Sequence, residues 1–242
     1  MQTKTQLPAF EGKPLIEVPK INFLVGEFGR LVDEEAKGRA RADYGNAPAL
    51  SISAYRDGVV QGSNSFYAVL VNQVVSKVGL HVATPADLER ALRFTGLEFR
   101  GHYVDSGLGL KSNADPDSYL AKSLAKQLGR GRRKRPVMLP LRGLQLAKNS
   151  NSLYGLGFRL KKDGEVIYAP ILNSPNQSRF SSKDIDEKTG LPARLDPQGD
   201  RVLWTRDSGL SGLYLYGGLD LYSDWNGLDD SDSGGRIAVV SD

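Results

Sequence analysis

The sequence predicts an α+β protein, with a mixed α/β part at 1–128 followed by a mostly antiparallel β part at 136–242. Helix signals with capping residues alternate with short apolar strands in the first part, and turn signals recur between short alternating segments in the second. A composition of 40% apolar and 25% charged residues is ordinary for a folded protein. The basic segment 129–135 connects the two parts, which can also form one continuous domain.

The first predicted elements are a strand, a helix and a hairpin. The strand at 15–18 lies between two prolines, which strand ends tolerate better than a central ladder. Apolar residues at 22–41 follow helical spacing after Asn22, a predicted N-cap, although three glycines weaken the pattern. Segment 49–55 alternates as a strand, and the turn after it predicts a hairpin that returns through 59–60.

Two further helices carry clearer signals. Ser63 can cap a helix that runs to Lys77, because apolar residues recur there at three- and four-residue spacing. Several β-branched residues in the same segment leave a buried strand as the alternative. Thr84, Pro85 and Asp87 combine a capping hydroxyl, a proline at the first helical position and an acid in the first turn. These three residues predict a helix that ends near residue 96.

The first part is predicted to end with a strand and a helix. Segment 97–104 alternates as a strand, and Gly107 and Gly109 indicate a turn or a bulge after it. Asp117 can cap a helix that ends at Gly129.

The second part reads as short strands joined by turns. The turn at 161–164 predicts a hairpin between 154–160 and 166–172. Segment 173–200 is dominated by polar, proline and glycine residues and is much longer than an ordinary connection, so we expect it to be mobile or functional. The remaining predicted elements are strands at 201–204 and 236–240, with an acidic glycine-rich tract at 207–235 between them.

A long stretch without acidic residues carries the main functional hypothesis. Residues 118–162 contain twelve Lys and Arg and no Asp or Glu, which is the electrostatic footprint expected of a phosphate-binding surface. Interleaved rings, including Tyr119, add the stacking groups that proteins use on single strands. We therefore predict a non-enzymatic protein that binds single-stranded DNA or RNA. The predicted contact residues are Lys122, Lys126, Arg130, Arg132, Arg133, Lys134, Arg135, Arg142, Tyr154, Phe158 and Arg159.

Two other functions fit the charge distribution. Residues 1–148 carry a net charge of +8 and residues 149–242 a net charge of −4, so the halves can dock on other protein surfaces or on another copy of the chain. The third hypothesis is a metal-dependent hydrolase or nuclease that uses C-terminal aspartates. Asp229 and Asp230 begin an oxygen-rich segment, but it lacks the ligand spacing of an EF-hand, so we predict no metal and no cofactor.

Composition excludes several classes of site. The chain has no cysteine, which rules out disulfides and thiolate chemistry. Ser106 and Ser208 lie in Asp-Ser-Gly segments, but with only two histidines in the chain they form no recognisable nucleophile motif. No run approaches the ~20 apolar residues of a spanning helix. We therefore expect no membrane partner and a cytoplasmic location.

Overall fold

The computed structural model describes residues 4–7, 16–19, 21–95, 97–111, 119–129, 136–217, 219–225 and 227–241, and it has the α+β class that the sequence predicts. Within these residues the α-helices are α1 (Gly26–Tyr44), α2 (Ser65–Val75), α3 (Pro85–Phe94) and α4 (Tyr119–Leu128). The strands of the first part are β1 (Lys4–Leu7), β2 (Ile16–Pro19), β3 (Ile21–Phe23), β4 (Ala54–Arg56), β5 (Val59–Gln61), β6 (Leu80–Val82) and β7 (Tyr103–Leu110). Those of the second part are β8 (Val137–Pro140), β9 (Leu144–Lys148), β10 (Leu156–Leu160), β11 (Ile167–Tyr168), β12 (Ser178–Phe180), β13 (Arg201–Thr205), β14 (Leu210–Tyr216), β15 (Asp220–Ser223), β16 (Gly235–Arg236) and β17 (Ala238–Ser241).

The largest sheet combines strands from both parts of the sequence. Its order is β11-β8-β7-β14-β15-β13-β12, and neighbouring strands are antiparallel except for β13 and β15. β16 pairs in parallel with the start of β7. β7 precedes the basic connector, whereas its neighbours β8 and β14 follow it. The two parts of the sequence are therefore joined in one sheet.

A smaller sheet also joins distant parts of the chain. β17 lies between β3 and β6 and is antiparallel to both. β1 pairs with β2, β4 with β5, and β9 with β10 in separate two-stranded sheets. The largest apolar cluster contains residues of α1, α2 and α4 together with residues of β7 to β10. The helices thus bury their apolar faces against strands from both parts.

The predicted helix signals are largely confirmed. In α3 the Thr84 hydroxyl accepts a hydrogen bond from the Asp87 amide at 3.2 Å, and the Asp87 carboxylate accepts one from the Thr84 amide at 2.9 Å. This is the reciprocal capping box that the sequence predicts. α2 is a helix rather than a buried strand, but its cap is Asn64, whose side chain accepts from the Tyr67 amide at 2.8 Å. The expected cap, Ser63, lies one residue too early.

The start of α1 was predicted wrongly. Asn22 lies in β3, where its side-chain oxygen accepts a hydrogen bond from the Phe23 amide, and the helix begins only at Gly26. Gly29, near the start of α1, has a packing role. A Cβ at this position would lie 2.3 Å from the carbonyl carbon of Leu24, so the missing side chain permits a close approach of the backbone.

The first hairpin is confirmed as β4 and β5. Its turn residues Asp57 and Gly58 have φ values of +51° and +79°, as expected for a tight hairpin turn. The beginning of the predicted first strand differs, because residues 48–50 form a 3-10 turn instead.

The strand after α3 is shifted from its predicted position. The alternating segment 97–104 was expected to form it, but β7 runs from residue 103 to 110 and includes Gly107 and Gly109, which were assigned to a turn or a bulge. The register between β7 and β14 shifts next to Gly107, as expected for a bulge. A Cβ at Gly109 would lie 2.4 Å from the Ser223 hydroxyl, and one at Gly107 would lie 3.2 Å from the Leu213 side chain. These glycines therefore allow close packing in the sheet.

The second predicted hairpin is also wrong in its pairing. β10 pairs with β9, which precedes it, while β11 pairs with β8. The turn at 161–164 is present, but it joins strands of different sheets. The strands expected at 201–204 and 236–240 are present as β13 and as β16 with β17.

The long polar segment 173–200 is packed against the second part of the protein. It contributes Phe180, Ile185 and Leu191 to an apolar cluster with residues of β8, β13, β14 and β15. At Gly190, φ is +69°, and a Cβ there would lie 2.2 Å from the carbonyl carbon of Pro85. The segment is thus held against the start of α3.

Candidate functional site

α4 lies along the edge of β10 that faces away from β9, and one side chain fixes it there. The Gln127 amide nitrogen donates to the Phe158 carbonyl at 2.9 Å, and its oxygen accepts from the Leu160 amide at 2.8 Å. A single amide side chain thereby satisfies two backbone groups of the strand edge, as a neighbouring strand would. The two bonds flank Arg159, whose side chain is exposed.

The exposed side of α4 carries an aromatic ring followed by two cations. Leu120 and Leu124 are buried, whereas Tyr119, Lys122 and Lys126 are exposed. The exposed residues are separated by three and four positions, so they share one side of the helix. We call Tyr119, Lys122, Lys126 and the adjoining Arg159 the basic face.

Two of the predicted stacking rings, Tyr154 and Phe158, contact the buried ring of Phe66. Phe158 is only 3% exposed and stacks on Phe66 at a centroid distance of 4.7 Å. Its ring belongs to the core, so the predicted role in stacking on a base does not fit this conformation. Tyr154 is half-buried, lies 5.1 Å from the Phe66 ring and hydrogen-bonds to the backbone at Leu228.

Arg142 lies in a different cleft from the basic face. One guanidinium nitrogen is 3.2 Å from the His81 ring nitrogen, and another is 3.4 Å from the Glu165 carboxylate. Lys161 donates to the Arg142 carbonyl at 2.7 Å, and burial lowers the pKa of its ammonium group. The structure therefore groups Arg142 with Lys161. The other predicted contact residues, Arg130 and 132–135, lie outside the described residues.

The structure also contains a pocket that the sequence analysis did not predict. A cavity of about 390 Å³ lies between the start of α2, the strands β7, β14 and β15, and residues 225 and 227–232. We call it the aromatic pocket. Hydrogen bonds hold its outer segment to the sheet. Asn64 donates to the Asp229 carbonyl at 2.9 Å, and the Gly212 amide donates to the Trp225 carbonyl at 3.1 Å.

Aromatic rings form several sides of this pocket. Tyr214 and Tyr222 are cross-strand partners whose rings stack at 5.2 Å with 10° between their planes. Tyr216 stands nearly perpendicular to Tyr222, at 5.7 Å and 86°. Tyr103 meets Tyr214 at 5.9 Å and 68°. Trp225 is 53% exposed, so the pocket presents aromatic surface to solvent.

Carboxylates complete the lining. The Trp225 indole nitrogen donates to Asp230 at 2.6 Å, which fixes the ring beside a carboxylate, and Asp232 lines the same pocket. Asp105 is buried beneath them and accepts a hydrogen bond from the Ser63 hydroxyl at 2.5 Å. Burial raises the pKa of Asp105 to about 6, and the hydrogen bond from Ser63 only partly opposes this shift.

Two local features of the sequence belong to this pocket, but neither of them predicts it alone. Tyr214 and Tyr216 alternate in β14 and therefore lie on one side of the strand. The acidic tract around residue 230 was recognised, but nothing local indicates that it folds back over these tyrosines. Among the described residues, no group of three or more His, Asp or Glu side chains is arranged to hold a metal ion. The hydrolase hypothesis stays a prediction from sequence.

No family model, curated protein or solved structure matches this chain significantly. Within the described part of the chain, no helix has both the length and the apolar composition needed to span a bilayer.

Proposed function

We propose that this protein binds single-stranded nucleic acid through the basic face. The observation that carries the proposal is the pair of hydrogen bonds from Gln127 that flank Arg159. This contact holds α4, which carries the exposed Lys122 and Lys126, against β10, which carries the exposed Arg159. Cations on two adjoining elements suit a run of phosphates better than an isolated charge does.

The charge of the surrounding sequence supports the same function. Residues 118–162 lack acidic side chains, and the arginine-rich segment 130–135 follows α4 after Gly129 alone. Lys122 and Lys126 begin this concentration of positive charge. Phosphate contacts release condensed counterions, so the affinity should fall steeply with salt concentration.

The preference for single strands is assigned to Tyr119 instead of Phe158. Tyr119 is 41% exposed and lies one turn before Lys122, which places a ring beside a phosphate-binding cation. Stacking on a base requires an unpaired strand and tolerates any base sequence. Tyr119→Ala should therefore weaken binding to single strands more than binding to a duplex.

A fluorescence anisotropy titration tests the proposal. Labelled single-stranded DNA, single-stranded RNA and a DNA duplex are each titrated with protein at about 50 mM and 200 mM KCl. The expected result is tighter binding to at least one single strand than to the duplex, with a large loss of affinity at the higher salt concentration. Absence of binding at the lower salt concentration would refute the proposal.

Self-association is a second candidate, favoured by the separation of charge on the surface. The basic face lies on α4 and β10, whereas the exposed Asp230 and Asp232 line the aromatic pocket, so the basic face of one copy could dock on these carboxylates of another. Light scattering on the same samples distinguishes the candidates. A salt-sensitive oligomer that has no affinity for nucleic acid supports self-association, whereas a monomer that binds supports the first function.

A further inference from the structure

The aromatic pocket presents ring faces in more than one direction. Tyr214 and Tyr222 are parallel, whereas Tyr216 stands at 86° to Tyr222. The face of each ring is the negative end of its quadrupole, and a cation within about 6 Å of a ring centroid is attracted to it. Both faces of Tyr222 are covered, by Tyr214 and by Trp204, so the rings that offer a face to a positively charged group are the exposed Tyr216 and Trp225.

The charges of the pocket favour the same kind of ligand. Asp105, Asp230 and Asp232 line it, and none of its described lining residues is Lys or Arg. The positive end of α2 also lies here and opposes a cation, but Asn64 already caps that end by accepting from the Tyr67 amide. Nearby Arg236 donates to the carbonyls of residues 233 and 235. The carboxylates outnumber these opposing groups.

The size of the pocket suits a small molecule. Its volume of about 390 Å³ lies near the lower end of the range for small-molecule sites. Apolar substituents on the cation would lie against the rings, and Trp225 at the entrance would cover one side. A strongly hydrated metal ion would make poor use of these apolar walls, whereas an alkylated ammonium group uses both the rings and the carboxylates.

We propose that the aromatic pocket binds a small organic cation with an alkylated ammonium head group. This inference goes beyond nucleic-acid binding and uses none of the residues of the basic face. The rings of Tyr216 and Trp225 contact the alkyl groups, while Asp230 and Asp232 balance the charge. Tyr222 forms the wall behind them, since its two faces are covered by Tyr214 and Trp204.

Isothermal titration calorimetry with two matched probes tests the charge requirement. Choline carries a trimethylammonium group, and 3,3-dimethyl-1-butanol has the same shape with a neutral carbon in place of nitrogen. Choline should bind about tenfold or more tightly than the alcohol, because only the cation gains from the ring quadrupoles and carboxylates. Equal affinities, or no measurable binding of choline, would overturn the proposal.

Single substitutions in the aromatic pocket test whether choline binds there. Trp225→Ala should lower choline affinity by about fivefold or more, because it removes the most exposed ring of the pocket. Phe94→Ala is the matched control, since that ring is 80% exposed but lies on α3. Asp230→Asn tests the carboxylate while keeping an oxygen acceptor for the Trp225 indole, and Asp163→Asn is its control. Controls that weaken choline as much as the pocket variants would contradict the assignment.

A third probe separates a free cation from a modified side chain. Acetyl-trimethyllysine amide carries the same head group on a peptide unit. If it binds about tenfold more tightly than choline, the occupant is a peptide and the small-molecule assignment is wrong. Comparable or weaker binding supports the free cation. Because choline binding does not involve the basic face, its outcome is independent of whether the protein binds nucleic acid.

Discussion

The guanidinium of Arg201 donates two hydrogen bonds, of 2.7 and 2.8 Å, to the carboxylate of Glu89. Only 6% and 9% of the two side chains are exposed. Glu89 lies on α3 and Arg201 begins β13, so this buried ion pair connects the first part of the sequence to the second. The same guanidinium lies 4.9 Å from the centroid of the Phe180 ring.

Breaking this pair should destabilise the protein strongly. Arg201→Met leaves a buried carboxylate without its partner, so we expect the free energy of unfolding to fall by about 3–5 kcal/mol. The double variant with Glu89→Met should recover much of this loss, because no unpaired charge remains. Urea unfolding measures both. Arg194→Met, which breaks an exposed pair with Asp184, is the control, and an equal cost there would contradict the prediction.

Asp105 should make stability depend on pH. Its pKa of about 6 in the folded protein lies above the usual 3.8, so folding favours the protonated form. The stability that the raised pKa of Asp105 contributes is fully present below the pKa of the unfolded state, near 3.8, and is lost as pH rises through 6. Relative to wild type, Asp105→Asn should gain about 2 kcal/mol in free energy of unfolding between pH 4.5 and pH 8. Urea unfolding at both pH values tests this, with exposed Asp43→Asn as control. A pH-independent difference would disprove it.

Gln127 should determine whether α4 stays docked. Gln127→Ala removes both hydrogen bonds to the edge of β10, which should cost about 1–3 kcal/mol and accelerate hydrogen exchange at the Leu160 amide. Gln145→Ala is the control, because that side chain is exposed on β9. Unchanged exchange at Leu160 in the Gln127 variant would show that the amide does not hold the helix.

Gly190 should be far less tolerant of a side chain than an open turn glycine. Gly190→Ala combines a positive φ with a Cβ 2.2 Å from the Pro85 carbonyl carbon, so we expect a loss of about 3–5 kcal/mol. Gly58→Ala has a similar φ and no atom within 4 Å of its Cβ, and should cost only about 1–2 kcal/mol. Thermal unfolding compares the two variants. Equal losses would mean that the contact with Pro85 relaxes freely.

The lysines of α4 should contribute uniformly to nucleic-acid affinity. The double variant Lys122→Ala with Lys126→Ala should weaken binding to all sequences and reduce the slope of log affinity against log salt by up to about 2. Lys183→Ala with Lys188→Ala removes the same charge from an exposed segment elsewhere and should leave the slope almost unchanged. Loss of binding to one sequence alone would contradict a phosphate-contact role. Arg132→Ala with Arg133→Ala is expected to behave like the α4 variant.

The sequence predicted best those features that depend on neighbouring residues. The capping box at Thr84 is made within one helix, and the buried leucines of α4 lie on one side of that helix, so spacing alone identifies them. The class of the fold follows from the same local signals.

These local signals did not predict which distant strands pair with each other. A turn at 161–164 is as compatible with a hairpin as the turn at 149–155, and the pairing of β10 with β9 comes with contacts to distant residues, such as that of Phe158 with Phe66. Because Phe158 packs on Phe66, its ring is buried, whereas the alternating pattern alone would leave it available to a ligand. The aromatic pocket requires cross-strand pairing of Tyr214 with Tyr222, which no local pattern encodes.

The position of β17 constrains the order in which the protein folds. Val239 pairs with both Asn22 and Val82, so the middle strand of this sheet is synthesised well after both of its outer strands. During synthesis, β3 and β6 emerge without the strand that joins them. Closing so long a loop is slow, because the chain loses its entropy before the strands pair. A chaperone or a stalled ribosome would therefore encounter α1 to α3 with this sheet unfinished.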